Sequence, residues 1–172
     1  MAGEIVVVAE KPELAKAIAE GLGGGSRADG YIDCGQHYVT WAIGHMLELV
    51  DPEDPWTMAG LPISFIPWKK RPVAKTASQL RTIRDLLKRA KSVIHAGDPD
   101  DEGQLIVDEI LEHAGCRLPV QRVLINDNNL KVVQRALASM KDNREFAGLS
   151  ASAEARSVGD LLYGVNMTRA YT

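Results

Sequence analysis

Asp98, Asp100 and Glu102 alternate along a short stretch flanked by Gly97 and Gly103. In a tight turn their carboxylates can converge on one point. Carboxylates about 5 Å apart repel by roughly 3 kcal/mol at an effective dielectric near 20. Three such groups, with Glu10 a candidate fourth member, form a cluster that a bound divalent cation would relieve. Oxygen donors with no histidine or cysteine in the turn suit magnesium rather than zinc. The same residues would also serve as an acidic helix start, where Asp and Glu complement the helix dipole. The Glu10-Lys11 pair in a second turn and the flanking glycines favour the metal site.

That reading requires the two turns to lie side by side, and the surrounding elements supply the reason. Ile5-Val6-Val7-Val8-Ala9 is a continuous β-branched run, the mark of a strand covered on both faces. Pro12 then stands at a first helical position, with Leu14, Ala15, Ile18, Ala19 and Leu22 at helical spacing and Gly23-Gly24-Gly25 as the stop. Residues 31–34 and 37–43 read as two strands of a hairpin turning at Gly35-Gln36. Residues 51–72, rich in proline and without period, read as an extended surface excursion. A helix from about Thr76 carries Leu80, Ile83, Leu87 and Ala90 as its apolar stripe. A second buried strand covers 93–96, a helix 102–114, a third strand 120–125, and further helices 130–140 and 151–172. Alternating strands and helices imply an α/β fold with a mainly parallel sheet. Chemistry in such sheets collects at the carboxyl ends of the strands. Glu10-Lys11 follows the first strand and the acidic turn follows the strand at Val93, so both are expected at one edge.

With 172 residues the chain is expected to bury about 70% of its unfolded surface. No run approaches the roughly 20 apolar residues of a membrane span, and the start lacks the pattern of a signal peptide; a cytoplasmic location is expected. Cys34 and Cys116 lack metal-ligand spacing and read as buried thiols. The net charge of −3 conceals strong segregation. Residues 69–91 hold nine basic residues against the single acid Asp85, a local charge of +8, whereas residues 95–115 hold seven acids and no Lys or Arg. Arg81, Arg84 and Lys88 share one helical face. A basic arm beside an acidic pocket suits an enzyme that grips a polyanion next to a metal; two solvated faces would look the same by charge. No GxGxxG or GxxxxGK[ST] run supports a nucleotide-binding domain.

Five ordered motifs carry a resemblance. They are Val8-Ala9-Glu10-Lys11-Pro12, Trp41-Ala42-Ile43-Gly44-His45-Met46-Leu47-Glu48, the run from His95 through the acidic turn to Gln104, Leu124-Ile125-Asn126-Asp127, and Asp160-Leu161-Leu162-Tyr163-Gly164-Val165-Asn166-Met167-Thr168-Arg169-Ala170. Together they resemble the N-terminal Toprim region of type IA DNA topoisomerases, in particular bacterial enzymes of the topoisomerase III type. The resemblance implies a Rossmann-like Toprim fold over residues 1–148, with a small hairpin insertion, and the start of a following domain over 149–172. It implies single-strand DNA cleavage, passage and religation, with DNA, mainly single-stranded, and the remaining topoisomerase domains as partners. Glu10 matches the glutamate that exchanges a proton with the 3′-hydroxyl at the scissile bond. Lys11 matches the lysine near the scissile phosphate, or is a simple partner of the acidic turn. Asp98, Asp100 and Glu102 match the Mg2+ set. Arg156, Asp160 and Arg169 match positions entering the domain that holds DNA, although Arg156 and Asp160 could equally form an i,i+4 helix pair. His45 is a candidate at the DNA gate or a structural residue.

Two substitutions depart from that family. Asp101 stands where arginine is usual, and Glu13 replaces a common serine. The catalytic tyrosine belongs to a later domain, and neither Tyr163 nor Tyr171 is expected to replace it; the chain is expected to be a truncated module, inactive alone. A free-standing magnesium-dependent Toprim nuclease and a non-catalytic DNA-binding module are the alternatives.

Overall fold

The computed structural model describes residues 4–50, 61–62, 64 and 67–171. Its centre is the strand β1 (Ile5–Ala9), whose valines are fully buried. Val6 and Val8 face one apolar cluster and Val7 and Ala9 the other, which is why the sequence there has no polar alternation. The helix α1 (Pro12–Gly21) comes next, opened by Pro12, and packs Leu14, Ala15 and Ile18 against the sheet.

A meander of β2 (Ser26–Ala28), β3 (Tyr31–Cys34) and β4 (His37–Trp41) succeeds it, each pair antiparallel. Gly35 turns the second pair at a φ of 76°, a conformation that L side chains rarely adopt. The hairpin expected over 31–43 is present, its second strand ending at Trp41.

A separate two-stranded ribbon pairs β5 (Leu47–Leu49) with β6 (Lys70–Pro72). This corrects part of the expected excursion over 51–72. Its last three residues form a strand, which Lys70, Arg71 and Pro72 conceal in the sequence because none is a typical strand former. Residues 51–60, 63, 65 and 66 lie outside the described part.

The helix α2 (Ala77–Leu87) leads to β7 (Ser92–Ala96), and α3 (Asp101–His113) leads to β8 (Val120–Arg122). Then come α4 (Leu130–Leu137), the short strand β9 (Lys141–Asp142) and the long α5 (Ala147–Ala170). The seven-stranded sheet has the order β2-β3-β4-β1-β7-β8-β9. Its four inner strands run parallel and its outer ones antiparallel, the mainly parallel α/β sheet expected. The helices α2 and α3 cover one face, through Leu80, Ile83, Val107 and Ile110. The helices α1 and α4 cover the other, through Ile18 and Val133. Both cysteines are half-buried rather than buried.

A candidate acidic site at the carboxyl edge of the sheet

The strands β1 and β7 are neighbours in parallel register, with Ala9 opposite Ala96. The chain therefore leaves both strands at the same edge. Glu10 donates its backbone N–H to Ala96 O at 3.2 Å, and Asp98 donates its own to Glu10 Oε2 at 2.8 Å. The two turns open onto one pocket.

The acidic turn is folded by its own groups. Asp98 O accepts from Asp100 N at 2.8 Å, and Asp100 Oδ1 caps α3 by accepting from Gly103 N at 2.7 Å. A Cβ at Gly103 would lie 2.5 Å from Asp98 N and 2.6 Å from Glu10 Oε2, and one at Gly97 would collide with the Gly103 carbonyl. Both glycines are needed because backbone crosses backbone there.

Lys11 Nζ donates to Asp98 Oδ2 at 2.6 Å, and this hydrogen bond holds Lys11 protonated above its ordinary range. The cleft beside them is open, about 410 Å3, and Asn126 and Asp127 line its far wall. The motif after β8 thus faces the acidic turn.

Glu102 points elsewhere. Its carboxylate meets His45, whose other ring nitrogen stands 3.6 Å from Glu109, an ion-pair rather than a hydrogen-bond separation. Glu109 and Glu102 raise His45 to a pKa of about 9. Lys70 bridges Glu109, at 2.8 Å, and Glu154, which also accepts from the Trp68 indole. Burial alone would raise the Glu109 pKa, but His45 and Lys70 outweigh it and hold the group below its usual value. This network joins the β5–β6 ribbon to α3 and α5.

Among the described residues, no three His, Cys, Asp or Glu side chains stand together as metal ligands. Asp98 is turned to Lys11, Asp100 to its cap and Glu102 to His45. The donor chemistry suits a hard divalent cation, since Glu10, Asp98 and Asp100 offer carboxylate oxygens from adjoining turns, although their side chains are not drawn together.

The remaining sequence-derived residues are dispersed. Arg156 donates to Asp101 Oδ2 at 2.7 Å and so fastens α5 to the start of α3; Asp160 is exposed beside it. The acid at position 101 thus has a partner within the chain. Arg169 is buried, and its Nη1 and Nη2 have no hydrogen-bond partner among the described residues. Arg81, Arg84 and Lys88 are exposed on the outer face of α2; the first two line a separate groove with Pro72 and His113.

Sequence reading missed a polar group beneath the acidic turn, made of the buried Arg122, Gln104 and His95 with the half-buried Asp108 and Asn143. The available signal was an arginine inside the apolar run 120–125, where a solvated charge has no place.

Known proteins are similar along nearly the whole chain. DNA topoisomerase 3 of Vibrio cholerae is 49% identical over 179 residues, covering 96% of this chain and 27% of that protein. DNA topoisomerase 3 of Salmonella typhimurium is 46% identical with the same coverage, and that of Staphylococcus aureus 34% identical over 97% of this chain and 25% of its own length. The chain thus spans about a quarter of the length of these relatives. The structure of full-length topoisomerase I from Thermotoga maritima matches 80% of this chain and 21% of its own, with a TM-score of 0.55 at 17% identity, a likeness of fold. The Toprim domain model matches residues 5–128, and the chain belongs to the Toprim domain family.

Proposed function

We propose that this chain is the metal-binding catalytic module of a type IA DNA topoisomerase, one that, when joined to a tyrosine-bearing domain, cleaves a single DNA strand, passes another strand through the break and reseals the first. The observation that carries the reading is the meeting of Glu10 with the backbone of Asp98, and of Lys11 with its side chain. A general acid or base, a fixed positive charge and cation ligands share one open edge, which is what phosphoryl transfer asks of a protein.

In this reading Asp98 and Asp100 hold Mg2+, with Glu102 joining once it leaves His45. The ion supplies positive charge beside a phosphate. Glu10 exchanges a proton with the 3′-hydroxyl at the scissile bond, and Lys11, released from Asp98, counters charge on the phosphate oxygens. The exposed Arg81, Arg84 and Lys88 face of α2 meets DNA backbone away from the pocket. Arg156, Asp160 and Arg169 belong to the passage from residues 1–148 into a following domain that begins near residue 149 and holds single-stranded DNA. The setting is cytoplasmic; no described helix is long and apolar enough to cross a membrane.

Supercoiled plasmid incubated with the 172-residue chain and Mg2+ tests the reading. No relaxation is expected, and relaxation would overturn it. Nicking that disappears in Asp98→Asn would replace it with a metal-dependent nuclease. Titration with Mn2+, followed by electron paramagnetic resonance, is expected to show a site lost in Asp98→Asn and Asp100→Asn.

A further inference from the structure

Arg122 is 1% exposed, yet it is a charged residue at the end of β8. Burying such a group is costly unless its donors find acceptors. Four of the five N–H groups of Arg122 do. Nε donates to Gln104 Oε1 at 2.7 Å, Nη1 to Gly97 O at 2.8 Å and to Val123 O at 2.7 Å, and Nη2 to Asp98 O at 2.7 Å. The Phe146 ring lies 5.9 Å from the guanidinium carbon. Two of the four acceptors are consecutive carbonyls of the acidic turn.

The other members of the polar group keep this fork aimed. The Gln104 amide nitrogen donates to Asp108 Oδ2 at 2.8 Å and Asn143 Oδ1 at 2.9 Å, which leaves its oxygen facing Arg122. Asn143 closes the ring by donating to Asp108 Oδ1 at 2.9 Å. His95 Nδ1 accepts from Gly97 N at 3.3 Å, so its proton is on Nε2, directed at Gln104 O at 3.1 Å. Burial, aided by the Arg122 charge, lowers the His95 pKa to about 4 and keeps it in that neutral form. Gly97 is thereby gripped at its N–H by His95 and at its carbonyl by Arg122.

We propose that Arg122 is the positioning residue of the candidate site: its guanidinium fixes the Gly97 and Asp98 carbonyls from beneath, so the Asp98 and Asp100 carboxylates are presented before cation or phosphate arrives. Its interest for function rests on the metal reading above. The Asp98 carbonyl is the joint, since it accepts both from Arg122 Nη2 and from Asp100 N, whose side chain caps α3. Lysine would keep the charge but cannot span two carbonyls and Gln104 at once.

Arg122→Lys in the 172-residue chain tests this by amide hydrogen exchange and Mn2+ titration. The proposal expects exchange at Asp98, Asp100 and Gly103 to rise at least tenfold while Val6, Val7 and Val8 stay protected, and Mn2+ affinity to fall about tenfold. Unchanged exchange in the turn overturns it. So does a uniform rise through β1, β7 and the turn, which would make Arg122 a contributor to global stability only. Where Arg122→Lys does not fold, Gln104→Met retains the arginine but frees its Nε, and the same local rise is expected; its absence overturns the proposal. Failure of the unsubstituted chain to bind Mn2+ defeats the metal reading, and the exchange pattern then decides the role of Arg122 alone. Mn2+ binding equal in the two proteins defeats the positioning role and leaves the metal reading standing.

Discussion

Asp98 donates its backbone N–H to the Glu10 carboxylate at 2.8 Å, although 88 positions separate the two in the chain. The contact exists because β1 and β7 are adjacent and parallel, so that the turns after Ala9 and Ala96 emerge together. The chemistry of the site depends on this proximity, and the tightest points around it are glycines.

Gly103→Ala would place a methyl group 2.5 Å from Asp98 N and 2.6 Å from Glu10 Oε2. The neighbour at the first distance is backbone and cannot rotate away. Overpacking of this kind costs about 1–3 kcal/mol. Urea denaturation is expected to show that loss, and heteronuclear NMR to show the Asp98 amide resonance displaced. A substitution tolerated without either change would mean that the turn has more room than these distances allow.

How far the sequence foretold this arrangement depends on the type of interaction. The strand β1 was legible because a both-face-buried strand can only be written in apolar residues. The shared edge then came from the direction of parallel strands. The partner of each carboxylate was not legible. Glu102 meets His45 across 57 positions, and nothing local specifies such a contact. The β5–β6 ribbon hid because Lys70 is pinned by charge, to Glu109 and Glu154, rather than by apolar packing. Arg122 was readable only as an anomaly, and its meaning came from the carbonyls above it.

Lys70 stands between two acids, with Lys70 and Glu109 both largely buried. Lys70→Met would leave Glu109 with His45 as its remaining charged neighbour. Removing one member of a buried pair typically costs about 3–5 kcal/mol; with His45 still in place, about 2–3 kcal/mol is expected in chemical denaturation. The double substitution Lys70→Met, Glu109→Gln is expected to recover most of that loss. A cycle in which the two losses simply add would show no coupling between them.

His45 makes stability depend on alkaline pH. Its folded pKa of about 9 lies above the unfolded value of 6.5, through Glu109 and Glu102. A raised pKa stabilises fully below the unfolded value and is lost as pH climbs through the folded one. The fold is therefore expected to weaken between pH 6.5 and about 9. Because His45 is 44% exposed, solvent screening limits the effect to no more than about 1 kcal/mol. Melting temperatures across that range should fall in the native chain and flatten in His45→Gln; parallel curves for the two would remove His45 as the cause.

The outer face of α2 makes a prediction about binding that is independent of the pocket. Arg81, Arg84 and Lys88 are exposed at positions i, i+3 and i+7, and Asp85, bonded to Lys88 at 2.9 Å, is the one acid of that helix. A backbone contact by each would release about 0.7 counterion per phosphate from single-stranded DNA. Replacing all three with glutamine is therefore expected to reduce the slope of log affinity against log salt by about 2, with or without Mg2+. Fluorescence anisotropy with a labelled oligonucleotide over a series of salt concentrations measures it. An unchanged slope would assign the face to solvent, and a slope that changes only when Mg2+ is present would move the contact to the acidic edge.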